Sequence, residues 1–206
     1  MALAIENNTV TKTRQALFDR GYKTWCENTA LAIRKKMGLN PTDPLSPYAL
    51  AEKLHVTLIP LGDVPNLSSS ALRHLSSEAG DDWSAVTVIC DDCEIIVVNP
   101  SHSPARTSSN IMHELAHVLR EHSGAQTFVS ADGFTIRDFN EKQEAEADWL
   151  AGTLLLPREA LQSLTYKSTS NEDACEKYGV STQLLEYRKR MTGINRQFGN
   201  KRYFAN

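Results

Sequence analysis

The stretch His113-Glu114-Leu115-Ala116-His117 decides how this chain is read. If it is helical, the two imidazoles sit one turn apart on one face. Imidazoles so placed can share one Zn2+, and the glutamate between them can take a proton from a water at that ion. The surrounding residues predict the helix. Ser108, Ser109 and Asn110 offer N-cap side chains, and Ile111, Leu115, Val118 and Leu119 recur at helical spacing, with no Pro or Gly before Gly124. The plain alternative is a buried amphipathic helix with two surface histidines. A third ligand separates the two readings.

A catalytic zinc site takes three protein ligands and leaves one position open. A third histidine in the pattern H-E-x-x-H-x-x-G-x-x-H would need Gly at 120 and His at 123, where this chain has Arg120 and Ser123. His122 is read instead as a solvent-exposed residue at the helix end, where a cation is favoured. The other source is an acid on a later helix. Residues 140–156 read NEKQEAEADWLAGTLLL, with Asn140 as a cap and Pro157 as the stop. Spacing leaves Glu141, Glu144 and Glu146 open. Glu144 and Asp148, four apart, share a face, so that Glu144 could bind the ion while Asp148 accepts a hydrogen bond from a ligand histidine. Glu146 points the other way and is expected in solvent. Ala145, Ala147, Ala151 and Gly152 are small enough for another helix to come close. A solvated acidic face is the bland reading of the same residues.

The whole stretch resembles the ImmA/IrrE family of metallopeptidase-like proteins: His113-Glu114-Leu115-Ala116-His117, then Glu144-x-x-Ala147-Asp148, then Leu154-Leu155-Leu156-Pro157. Weaker likeness covers roughly 30–192, through the strand Glu94 to Val98 before the motif and Tyr178-Gly179-Val180-Ser181 after it. The resemblance implies that His113, His117 and Glu144 are metal ligands, that Glu114 is the general acid and base, and that Asp148 backs a ligand. Ala116 departs from the Gly common at that place, and the loop 122–139 does not align. The resemblance also implies a zinc-dependent intracellular regulator that acts on a helix-turn-helix repressor, often of a mobile element or prophage.

Composition sets wider bounds. The 206 residues are 41% hydrophobic and 23% charged, ordinary values for one globular domain with a core. A net charge of -3 gives no overall case for nucleic-acid binding. Neither a signal peptide nor a membrane span is evident, so a cytoplasmic location without membrane contact is expected. Cys90-Asp91-Asp92-Cys93 could be a redox or metal pair, but it lies between two β-rich runs, 86–89 and 94–98, and reads as a hairpin turn.

The remaining elements follow from pattern. Helices are expected over 12–37 and from Ser46-Pro47 to Leu54, a strand over 56–61, and a Ser-rich loop over 62–82 with one helical turn near 71–75. The order gives an α+β fold: a small antiparallel or mixed sheet packed on two metal-holding helices. Residues 1–165 would form the zincin-like domain and 166–206 a helical appendage. The last forty residues carry eight basic and four acidic side chains. Helices over 172–178 and after Ser181 make a helix-turn-helix-like pair. It lacks a third supporting helix, and direct nucleic-acid binding is not expected.

The leading expectation is thus a zinc metalloendopeptidase with one protein substrate, although another divalent ion would suit the same ligands. Strand 94–98 is expected as a sheet edge that aligns the substrate. His102, His122 and Tyr166 are candidates to stabilise an oxyanion. The alternative is a non-proteolytic, metal-containing regulator that sequesters a repressor or antitoxin-type partner. A deformylase-like hydrolase lacks its companion motifs here.

Overall fold

A computed structural model describes residues 17–78, 83–90, 93–122, 127–129, 135–137 and 140–199. Helix α1, Tyr22–Lys36, buries Tyr22, Cys26, Ala30 and Arg34, a strict four-residue stripe. It starts ten residues later than periodicity suggests. Residues 17–21 are bends and turns, and Gly21 holds a left-handed φ of 89° that the helix cannot propagate through. Residues 12–16 lie outside the described part. Helix α2, Pro47–Leu54, begins as expected: Pro47 takes the first turn and the Ser46 hydroxyl accepts from the amide of Ala49.

Strand β1, Thr57–Pro60, leads into 61–78, which is more ordered than its Ser-rich sequence suggests. A 3-10 turn at Leu61–Asp63 is followed by α3, Ser69–Arg73, capped by Ser68, and a π turn at His74–Glu78. Strands β2, Ala85–Cys90, and β3, Cys93–Val98, pair antiparallel with Cys90 opposite Cys93, as a hairpin requires. The turn at 91–92 lies outside the described residues. Strand β1 pairs parallel with β3, from Thr57 opposite Ile95 to Pro60 opposite Val98. The sheet order is β1-β3-β2. Strand 94–98 is therefore central, contrary to the expectation of an edge. Its backbone is claimed on both sides, and Ile96 is fully buried. The two edges of this sheet are β1 and β2.

Helix α4, Pro104–Leu119, starts before the expected caps. Ser103 is the N-cap and Pro104 the first residue. It buries Ile111, Met112, Leu115 and Ala116 against the sheet and against α5, Glu141–Leu155. Between α4 and α5, β4 (Thr127–Val129) and β5 (Thr135–Arg137) form a two-stranded antiparallel ribbon. Helix α5 is the central helix, buried almost all round from Ala147 to Leu155. Its last carbonyls need donors. Two fully buried arginines supply them: Arg34 Nη2 donates to Leu154 O at 2.8 Å, and Arg188 Nε donates to Leu156 O at 3.1 Å. Gly152 makes room, since a Cβ there would lie 3.2 Å from Arg188 Cδ.

Helices α6 (Arg158–Tyr166), α7 (Asn171–Tyr178), α8 (Thr182–Thr192) and α9 (Ile194–Gly199) complete the described residues. Their Leu161, Tyr178, Leu185 and Ile194 join one apolar cluster with α1, α4 and α5. The helix-turn-helix-like pair is thus pinned to the core. Arg188, counted above among the basic residues of this region, pairs with Glu27 at 2.8 Å instead of facing solvent.

Candidate metal centre

The packing of α4 on α5 brings the motif histidines to the first turns of α5. Asn140 fixes where that helix begins, its side chain accepting from the amides of Lys142 and Gln143. Glu144 then falls in the first turn and Asp148 one turn later on the same face. Close approach is possible because Ala116 and Ala147, both fully buried, present only methyl groups.

His113, His117 and Glu144 come together as a group able to hold a metal ion. His113 Nε2 lies 3.0 Å from His117 Nε2. Glu144 Oε2 lies 3.3 Å from the first and 3.7 Å from the second. Three tetrahedral ligands about 2.0–2.1 Å from one zinc would be separated by about 3.3 Å. Donor set and spacing therefore fit a divalent ion of the zinc type. Each ring also turns Nε2 inward because Nδ1 is occupied. Asp148 Oδ1 lies 2.8 Å from His113 Nδ1, and His122 Nδ1 lies 3.0 Å from His117 Nδ1. Such outer partners fix the tautomer and orientation of a ligand histidine.

Two expectations are overturned here. His122 is not a solvent-facing residue: its side chain is only 6% exposed. The chain closes after α4 with Glu121 in a left-handed conformation, φ 51°, and with the His122 amide bonded to His117 O at 3.1 Å. This turn folds the His122 ring under the helix end. Glu146 is not solvent-facing either, at 4% side-chain exposure. Pointing away from Asp148 takes it toward α1 and α4, not out of the protein. Its Oε2 accepts from Arg120 Nε at 3.2 Å, from Arg120 Nη2 at 2.8 Å and from His122 Nε2 at 3.2 Å. The Arg120 guanidinium in turn lies 5.2 Å and 4.9 Å from the ring centres of Tyr22 and Trp25. Burial resists the Glu146 charge, yet these donors outweigh it and hold its pKa below the ordinary value.

Glu114, between the histidines, accepts a 2.5 Å hydrogen bond on Oε2 from the Thr87 hydroxyl of β2. Thr87 has no motif around it, and only the pairing of β2 next to α4 reveals it. Glu146 had a signal that could have found it: Trp149, Leu150 and Thr153, three, four and seven residues on, are all buried. Of the oxyanion candidates, His122 sits behind His117, His102 Nδ1 is 2.9 Å from Asn110 Nδ2, and Tyr166 is exposed at the end of α6.

Two histidines one turn apart on a helix, met by an acid from the next helix, define a metallopeptidase-like site. The chain belongs to the peptidase M78 family, whose IrrE N-terminal-like domain model matches residues 54–190. No curated protein matches it. Among solved structures it is similar to a Mycobacterium tuberculosis transcriptional regulator, at 14% identity and a TM-score of 0.48. That likeness covers 83% of this chain and 47% of the regulator, so the chain spans about half the length of that protein. Among the described residues, no helix is long and apolar enough to cross a membrane.

Proposed function

We propose that this protein is a zinc-dependent intracellular metallopeptidase that cleaves a regulatory protein, a helix-turn-helix repressor being the substrate its family resemblance suggests. His113, His117 and Glu144 would hold the ion, Asp148 would back His113, and residues 166–206 would be an appendage packed on the catalytic domain. The observation that carries the reading is Glu114, which adjoins the ligand cluster on one side and is held by Thr87 on the other. When bound, the ion supplies Lewis-acid polarisation of a carbonyl and acidifies water. Glu114 takes the proton from the attacking water and returns it to the leaving amine nitrogen. Thr87 donates to Oε2 and so fixes the orientation of the carboxylate. Strand β2, the edge strand that carries Thr87 beside Glu114, offers main-chain groups to an extended peptide.

A substrate trap tests this. Tagged wild type and Glu114→Gln are expressed in the native host, and captured proteins and their termini are identified by mass spectrometry. The expected result is an intact partner on the variant and a shortened one with wild type, with zinc retained by both. Cleavage by Glu114→Gln would sink the general-base assignment. The same intact partner on both proteins would favour a non-proteolytic regulator.

A further inference from the structure

We propose that His122 is a positioning residue for the metal: anchored by Glu146 and Arg120, it holds His117 with the Nε2 lone pair turned toward the ion. The inference rests on the metal-site part of the reading above and is independent of proteolysis.

A buried carboxylate is costly unless its oxygens are paired. Glu146 Oε2 receives three N–H groups, two from Arg120 and one from His122, and the Lys142 ammonium lies 3.8 Å from Oε1. Ionised, Glu146 only accepts. The proton shared with His122 therefore sits on His122 Nε2. A neutral His122 ring then has its lone pair on Nδ1, 3.0 Å from His117 Nδ1. His117 must donate there, so its own lone pair is on Nε2, the atom that faces His113 and Glu144. The anion at Glu146 thus sets the tautomer two rings away. The closing turn supplies rigidity: Glu121 in the left-handed region and the His122 amide on His117 O leave the ring little freedom.

A merely structural tie between the end of α4 and α5 would need the Glu146 contact but not the tautomer. Three measurements on the full chain separate the two. Zinc affinity is measured by chelator competition for wild type, His122→Phe and His122→Gln. Zinc-loaded wild type is examined by 15N NMR of its imidazoles. Urea melts of the metal-free proteins report folding. Gln places an acceptor and a donor where the two ring nitrogens stand; Phe places neither. Expected are a loss of about 10- to 100-fold in affinity for Phe, recovery of most of that loss by Gln, and, in wild type, Nδ1–H on His117 with Nε2–H on His122. Wild-type affinity in the Phe variant overturns the proposal, as does equal loss in both variants. If Phe does not fold, Nδ1–H on His122 in wild type overturns it and Nε2–H supports it. A wild type that binds no zinc removes the metal site itself, and this inference with it.

Discussion

His113 and His117 are one helical turn apart and offer the same atom to the same place, yet they are backed in opposite ways. Behind His113 stands Asp148, 75% exposed and reached by one hydrogen bond. Behind His117 stand the enclosed side chains of His122 and Glu146 and then the half-buried Arg120, which lies over the aromatic rings of α1. The outer support can be lost with little effect on folding. The inner support is part of the core, so metal binding and stability are joined on that side.

The largest effects break both sides at once. His113→Ala, His117→Ala and Glu144→Ala should each abolish stoichiometric zinc, read by elemental analysis of the purified protein. Zinc retained by Glu144→Ala would move the third ligand to another acid.

The next effect separates the sides. Arg120→Ala leaves Glu146 buried with only His122 and a distant Lys142, and should destabilise the metal-free protein by about 3 kcal/mol. Asp148→Ala removes an exposed carboxylate and should change stability by less than about 0.5 kcal/mol. Its effect should fall on zinc affinity, a loss of about 10-fold. Urea melts and zinc titrations on the two variants form one experiment. Equal stability losses would erase the distinction between an inner and an outer support.

The same difference marks what the sequence could say. Asp148 was legible because both it and Glu144 are exposed to pattern: four residues on one helix face need no tertiary knowledge. The Glu146 series was not. It joins α4, the turn after it, α5 and α1: the residues that follow Glu146 mark its face as inward, but nothing local names Arg120 or His122 as its partners. The edge of the sheet was misread for a related reason. Strand β3 is as apolar as an inner strand must be, but only its parallel pairing with β1, Thr57 opposite Ile95, across a separation that no local pattern spans, shows it to be central. Helices α2, α5, α7 and α8 were legible because Ser, Asn, Pro and Gly mark their ends, whereas α4 begins at Ser103-Pro104, ahead of the caps expected at 108–110.

The smallest expected effect is on proton binding in the metal-free protein, where the two sides should titrate apart. Burial opposes a charge on His113, but the hydrogen bond from its ring to Asp148, with the charges of Asp148, Glu114 and Glu144, outweighs burial and raises its pKa above 6.5. Burial comes first at His117 too, and there the neighbouring His113 adds to it and the pKa falls below 6.5. His122 is also lowered, by burial. The raised group stabilises the folded state fully below its unfolded pKa and loses that contribution as pH rises through its folded pKa. The two lowered groups act oppositely: their contribution is full above 6.5 and is lost as pH falls toward their folded values. Acidification below pH 6.5 should therefore weaken the inner side while the outer side holds. Asp148→Asn removes the carboxylate that opposes burial at His113. Its pKa should drop, and the acid arm of the stability curve should steepen. An NMR titration of the imidazole protons in the presence of a chelator reads both effects. His113 taking its proton at lower pH than His117 in wild type would mean that Asp148 does not control the outer ligand.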